Sequence, residues 1–175
     1  MNRSYDEAIR AYRQALALDP VSVSAYRGLA QAHVFLKQYE DALTVLDRAR
    51  NFHPQDESLA TLVDETMLAQ AIEELNRGVD SYFKADTQTA YQRIREAVRI
   101  KPDFAFAHYL LGFLYYQDRD LASAEKAIMR SISLNDQLWL AKKLLGDIAF
   151  ERGQYARAIE CYKAGLAVNR KDPSL

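Results

Sequence analysis

The 175-residue sequence is poor in cysteine, proline and glycine, and it has no strong excess of charge. Its single cysteine, Cys161, has no second cysteine in the chain with which to form a disulfide, and this suits a reducing compartment such as the cytoplasm. A net charge of −1 provides no sequence-wide field for nucleic acid or an anionic membrane. No apolar run approaches the ~18 residues of a membrane span. We therefore expect neither nucleic-acid binding nor membrane insertion from this segment.

Reactive side chains are also too scattered to suggest catalysis. His33, His53 and His108 are far apart, and no Cys, His or Asp lies at metal-ligand spacing from them. No cluster of glycines follows a strand-like segment, as a phosphate-binding loop would require. We predict no enzymatic activity, no metal and no cofactor, and we expect the histidines and Cys161 to have structural roles.

What the sequence does contain is a repeat with a period of 34 residues. The interval recurs among alanines, glycines and prolines: Ala8 and Ala42; Ala90, Ala124 and Ala158; Gly78, Gly112 and Gly146; Pro20 and Pro54. Such a period is typical of stacked helix–turn–helix units. The step from Ala42 to Ala90 is 48 residues, so 14 extra residues separate two blocks that are otherwise in register.

One repeat, residues 23–56, shows the pattern most clearly. Its first predicted helix places four residues on one face, and its second does the same before Pro54 ends it: Tyr26, Leu29, Ala30 and His33; Tyr39, Ala42, Leu46 and Ala49. This arrangement resembles the tetratricopeptide repeat (TPR). The resemblance implies an all-α, right-handed superhelical solenoid of antiparallel helix pairs, whose concave wall of first helices binds peptides or partner helices.

The resemblance covers nearly the whole chain as a single array. It implies a half repeat that consists of a second helix only, followed by four complete repeats: 1–20; 23–56, 71–104, 105–138 and 139–172. Some positions depart from the pattern: His33 and Ala149 replace an aromatic residue, and Asp136 and Arg170 replace the terminal proline. The half repeat suggests that the chain is a piece of a longer protein. It also predicts that Ile9, Tyr12 and Leu16 are only half covered.

The 14 extra residues, 57–70, contain no glycine or proline and run directly into the next repeat. We interpret residues 57–84 as one extended helix, so that 57–70 is an insertion that lengthens the first helix of the next repeat. The alternative is two short helices with a break near residues 69–71. Leu59, Leu62 and Val63 should cover apolar surface of the preceding helix or of a partner. Because deleting 57–70 restores the period, we expect the shortened chain to remain folded.

The resemblance also implies which residues line the concave groove. Three or four of them lie on each first helix: Arg27, Gln31 and Phe35; Asn76, Val79, Tyr82 and Phe83; Phe106, Tyr109, Phe113 and Tyr116; Lys143, Asp147 and Phe150. TPR proteins that clamp carboxylate-ended chaperone peptides place cations in this wall. Here Phe106 and Leu110 occupy two of those places, so that binding mode is not expected. The long helix is a competing occupant for part of this surface.

These features predict a non-enzymatic interaction scaffold that binds an apolar peptide or amphipathic helix in an aromatic groove. Two alternatives remain open. Ile159, Tyr162 and Leu166 face no following helix, so the module could instead assemble with itself through its open ends or its long helix. It could also be the substrate-docking arm of a larger enzyme. The sequence therefore predicts a protein or peptide partner, with a homo-oligomer as the alternative.

Overall fold

A computed structural model describes residues 2–169 of the chain. Arg170, one of the predicted departures from the repeat pattern, lies outside the described residues. The described part is entirely α-helical: α1 (Asn2–Leu18), α2 (Val23–Phe35), α3 (Tyr39–Phe52), α4 (Glu57–Phe83), α5 (Thr87–Ile100), α6 (Ala105–Gln117), α7 (Leu121–Leu134), α8 (Trp139–Glu151) and α9 (Tyr155–Asn169). The predicted all-α fold of helix pairs is confirmed. The chain divides into two compact units, Met1–Ile72 and Glu73–Leu175.

Each complete helix pair turns through the same backbone motif. Lys37, Ala85, Arg119 and Gly153 have φ values between 59° and 73° and stand at equivalent repeat positions. At Lys37 the amide donates to the Val34 carbonyl, and the next amide donates to the His33 carbonyl, both at 2.9 Å. Paired bonds of this kind satisfy carbonyl groups at a helix C-terminus and require a left-handed residue. The turn therefore ends every first helix in the same way, although only Gly153 adopts this φ without a steric cost.

Small residues let the two helices of a pair approach closely. A Cβ atom added at Gly112 in α6 would lie 2.7 Å from the side chain of Ile128 in α7, which is fully buried. Ala30 occupies the corresponding place in the first complete repeat, and it packs in one cluster with Leu46 of α3. The spacing of 16 residues is the same in both pairs, so the repeat period specifies the same contact twice.

The first unit buries more of α1 than the sequence predicts. Ile9 is only 7% exposed, because it packs against Leu29 and Ala32 of α2. The expectation that Ile9 is half covered is therefore wrong, whereas Tyr12 and Leu16 are indeed half-buried. Gly28 lets the Tyr12 ring lie close to the backbone of α2, since a Cβ atom at Gly28 would lie 2.2 Å from that ring.

The long helix α4 is continuous, so the alternative of two short helices is wrong. It ends at Phe83, one residue before the predicted end. Leu59 is fully buried and Leu62 is 8% exposed, and both pack with Tyr26 and Leu46 in the core of the first unit. They cover the preceding helix pair, which is one of the two outcomes expected for them.

Burial also shows how the first half of α4 fits the repeat. Leu59 and Thr66 are buried, and they follow the buried residues Ala25 and Ala32 by 34 residues each. Residues 57–70 therefore continue the register of the first complete repeat. Within the first unit, these four turns take the place of the first helix of one more repeat. The boundary between the two units falls inside α4, two residues after this segment.

Candidate functional site

The histidines make short hydrogen bonds to nearby parts of the scaffold. His33 Nδ1 donates to Gln38 Oε1 at 2.8 Å, which connects α2 to the turn after it. His53 Nε2 donates to the Val21 carbonyl at 2.6 Å, and His108 Nε2 donates to the Pro102 carbonyl at 2.9 Å. Cys161 is half-buried, and burial raises the pKa of its thiol. No group of three His, Cys, Asp or Glu side chains within residues 2–169 is placed to hold a metal ion.

Aromatic side chains gather on one side of the second unit. We call this the aromatic surface; it is formed by α4 and α6 and consists of Val79, Tyr82, Phe83, Phe106, Tyr109, Phe113 and Tyr116. The Tyr82 and Phe113 rings meet edge to face with centroids 5.7 Å apart, and this contact joins α4 to α6. The rings of Phe106 and Tyr109 stack at 5.5 Å. These seven predicted groove residues are therefore assembled by two consecutive first helices.

An apolar pocket of about 230 Å³ opens at the α4 end of this surface. Four of the predicted residues line it together with two buried residues and the half-buried Leu110: Val79, Tyr82, Phe83 and Phe113; Ile94 and Leu114. Phe83 is 81% exposed, which is unusual for a phenylalanine beside a pocket without polar lining. A partner side chain that enters this pocket would bury apolar area from both molecules. Phe83 is therefore the most accessible anchor on the aromatic surface.

The α8 end of the surface carries charges that are already paired. Lys143 Nζ lies 2.8 Å from Asp147 Oδ2, and the Tyr162 hydroxyl donates to Asp147 Oδ1 at 2.9 Å. Arg119 forms an ion pair with Glu151 at 2.9 Å. Burial raises the pKa of the Tyr109 and Tyr116 hydroxyls beside them. For Tyr116 the charges of Glu151 and then Asp147 raise the pKa further, and for Tyr109 the Asp147 charge does so.

The other predicted groove residues are not among the seven that define the aromatic surface. Phe150 is exposed, and its ring packs against Tyr155 of α9 at 5.4 Å rather than against α6. Asn76 is exposed on α4. The three remaining residues belong to the first unit: Arg27, Gln31 and Phe35. Gln31 and Phe35 line a separate cavity of about 280 Å³ there, and the Phe35 ring stacks on Tyr5 at 5.0 Å.

Two further surfaces of the second unit lie outside the predicted groove. An apolar cavity of about 360 Å³ lies between α8 and α9, with Trp139, Tyr162 and Leu166 in its wall. Tyr162 and Leu166 belong to the open end that the sequence offers for self-assembly. A mixed polar and apolar cleft of about 340 Å³ lies between α5 and α7. Lys126 and Arg130 line this cleft, and their spacing of four residues on α7 is the feature of the sequence that could have indicated it.

Comparison with known proteins identifies the family to which the chain belongs. Family models of the tetratricopeptide repeat match residues 1–65, 107–138 and 144–172, which together make up more than half of the chain. The chain belongs to the tetratricopeptide repeat family. Within residues 2–169, no TPR helix combines the length and apolar character needed to cross a membrane.

Among curated TPR relatives, the Hsp70-Hsp90 organising protein of Plasmodium falciparum is 21% identical over an alignment of 152 positions that covers 76% of this chain and 27% of that protein. Human tetratricopeptide repeat protein 13 is 26% identical over 165 residues, which is 93% of this chain and 18% of that protein. The chain thus spans less than a third of these relatives.

Solved structures with the same TPR fold include MamA, with a TM-score of 0.52 and 21% identity over 98% of this chain and 92% of MamA. Another is the second TPR of Spaghetti (RPAP3) bound to an HSP90 peptide, with a TM-score of 0.55 and 19% identity over 58% of this chain and 94% of that chain. Both are similar in fold.

Proposed function

We propose that this TPR chain is a non-enzymatic scaffold that binds an apolar peptide or amphipathic helix on the aromatic surface of its second unit. The observation that carries the proposal is the exposed Phe83 beside an apolar pocket that Tyr82 and Phe113 also line. Aromatic anchors contribute a large buried area and lose few rotamers when they are fixed. Contiguous apolar surface of this kind marks interaction sites in proteins.

The paired charges at the α8 end favour an uncharged ligand. A ligand carboxylate would have to displace Asp147 from Lys143, or Glu151 from Arg119, before it gained an ion pair. Exchange of one carboxylate for another brings little net free energy, since both pairs are partly exposed to water. Apolar contacts with Phe83, Phe106 and Phe113 are made without such an exchange. Carboxylate-ended peptides are for this reason disfavoured on this surface.

Selection from a displayed library of amphipathic helical peptides tests the proposal. Peptides selected on the 175-residue protein should carry two or more large apolar residues at helical spacing. Their affinity for Phe83→Ala/Phe106→Ala should fall by about tenfold or more, because truncating a buried aromatic anchor commonly costs over 1 kcal/mol. Both residues are exposed, so the variant should retain the far-UV circular dichroism of the parent.

A matched control separates this surface from general stickiness. Phe52 of α3 and Met129 of α7 are about half exposed, and neither belongs to the aromatic surface. Phe52→Ala/Met129→Ala should bind the selected peptides as the parent does. Equal affinities for the two double variants, or selected peptides without apolar spacing, would show that the aromatic surface is not the binding site.

Self-assembly is a second candidate, and a different surface favours it. Ile159 and Leu166 are more than half exposed on α9, and Leu166 borders the cavity between α8 and α9. Light scattering at rising concentration should detect association in the parent and lose it in Ile159→Glu/Leu166→Glu. A parent that remains monomeric at high concentration would remove this candidate. A role as the docking arm of a larger enzyme remains a prediction.

A further inference from the structure

The second unit carries a cleft on a different face from the aromatic surface. Its wall combines one residue of α5 with three of α6 and four of α7: Val98; His108, Leu111 and Tyr115; Ser123, Lys126, Ala127 and Arg130. Its volume of about 340 Å³ is at the lower end of the range for ligand-binding pockets. The floor is apolar, and both side chains that are charged at neutral pH are cations.

Within the described part of the chain these two cations form no ion pair, and Arg130 acts on the Asp103 carboxylate only at longer range. Lys126 and Arg130 are four residues apart on α7, so their side chains project from the same face of the helix. Neither forms an ion pair among residues 2–169, whereas the nearby Glu125 is bound by Arg152 and Arg157. Like charges at this spacing destabilise an isolated helix slightly, and an anion placed between them would remove that repulsion.

A third cation lies beside the cleft. Arg95 of α5 donates to the Tyr115 hydroxyl at 3.1 Å and lies over the Tyr115 ring, 5.9 Å from its centroid. Besides Glu125, two carboxylates in this region have partners of their own. Asp103 forms an ion pair with Lys101 at 2.8 Å, and Lys101 and, to a smaller extent, Arg130 lower the pKa of its carboxyl group. Asp118 accepts a hydrogen bond from the Tyr91 hydroxyl at 2.8 Å.

We propose that this cleft, which is separate from the aromatic surface, binds an acidic peptide segment that contains a large apolar residue. Ligand carboxylates pair with Lys126 and Arg130, and the apolar side chain lies against Val98, Leu111 and Ala127. Charge complementarity decides the occupant: a neutral apolar segment leaves both cations unpaired beside it, and a basic segment is repelled.

Fluorescence polarisation with short blocked peptides tests the proposal on the 175-residue protein. The probe has a central leucine flanked by glutamates; one comparison peptide replaces the leucine with alanine, and the other replaces the glutamates with lysines. The probe should bind saturably and more weakly as salt is raised, since exposed charge pairs are screened. The alanine peptide should bind several-fold more weakly, and the lysine peptide should not bind.

Variants locate the binding. Lys126→Gln/Arg130→Gln should lower the affinity for the probe by about tenfold or more, because hydrogen bonds to charged groups are stronger than those between neutral groups. Arg10→Gln/Lys163→Gln removes the same net charge from exposed positions on α1 and α9 and should bind within about twofold of the parent. Phe83→Ala/Phe106→Ala should also bind the probe normally, so failure here is distinguishable from failure of the proposed function.

Three results would overturn the proposal. One is the absence of saturable binding by the probe at low salt. Another is an equal loss in the Lys126/Arg130 and Arg10/Lys163 variants, which would indicate attraction by overall charge alone. The third is tighter binding of a single-stranded oligonucleotide than of the probe, with the same dependence on Lys126 and Arg130. Circular dichroism and Trp139 fluorescence confirm that each variant is folded.

Discussion

Deletion of residues 57–70 tests how the long helix α4 contributes to stability. The deletion restores the 34-residue period, and on the sequence alone the shortened chain should remain folded. The structure leads to a different expectation. With the segment removed, Ala71 follows Asp56 directly, so Glu73 takes the place of Leu59 and Asn76 takes that of Leu62. Two polar side chains would then face the core of the first unit.

The size of the effect follows from burial. Leu59 is fully buried and Leu62 nearly so, and loss of a buried leucine side chain costs about 2–5 kcal/mol. Two such losses amount to about 4–10 kcal/mol, before any cost of burying a carboxylate. At about 0.05–0.15 kcal/mol per residue, a unit of this size is stabilised by about 4–11 kcal/mol in all. We therefore expect the deletion to unfold the first unit or leave it marginally stable.

Urea titration with two probes measures this. The single tryptophan, Trp139, lies in the second unit, so its fluorescence reports that unit alone, while far-UV circular dichroism reports the helices of both. In the shortened chain, part of the helical signal should be absent or lost at low urea. The Trp139 midpoint should change much less, because the cores of α6–α9 contain none of the deleted residues.

A repaired deletion serves as the control. Glu73→Leu and Asn76→Leu in the shortened chain return apolar side chains to the places of Leu59 and Leu62, and they should recover most of the lost helical signal. If the unrepaired deletion unfolds like the parent by both probes, the register assigned to residues 57–70 is wrong. If it unfolds but the two leucines do not help, packing by those positions is not the cause.

Two further predictions concern the second unit. Ala85→Gly should raise the free energy of unfolding of this unit by about 0.5–1 kcal/mol, and Gly153→Ala should lower it by as much, because both residues have positive φ and a Cβ at Gly153 meets no atom within 4 Å. Trp139 fluorescence in urea measures both changes. Effects of the same sign in the two variants would contradict this. Burial and then the bond to Asp147 raise the pKa of Tyr162 to about 12, so stability that this hydroxyl contributes is present below its usual pKa near 10 and is lost as pH rises towards 12. Asp147→Asn should make one tyrosine ionise earlier in a tyrosinate absorbance titration, and an unchanged curve would exclude that contribution.

The helix pairs were predictable because a repeat specifies the same buried contacts several times. Ala42, Ala90, Ala124 and Ala158 stand at one repeat position, and each is at most 1% exposed. A single alanine carries little information about burial, but four at one period indicate a place where two helices must approach closely. The same argument explains why the individual pairs could be placed without knowledge of any contact.

The role of residues 57–70 could not be predicted in this way. Their fourth and eighth positions are Ala60 and Asp64, where the first complete repeat has Tyr26 and Ala30. These are the positions that pack a first helix against its own second helix, and here no such second helix follows. Only the contacts with the preceding pair remain. They are made by Leu59 and Leu62, and Thr66 is buried as well, at positions that the family pattern does not emphasise.

The candidate surfaces also combine features that the sequence predicts with features that it does not. Tyr82, Phe106 and Phe113 were placed together because helical spacing and repeat register suffice to bring them to one side. The pairing of Lys143 with Asp147 was also available from their spacing of four residues, which favours an ion pair on a helix. The hydrogen bond from the Tyr162 hydroxyl to Asp147 was not available from the sequence, since Tyr162 lies on the following helix. Whether a charge near a groove is free for a ligand depends on such contacts between helices. Because the repeat period constrains buried positions and leaves exposed ones to vary, the charge state of a TPR surface has to be established from the packing of its particular side chains.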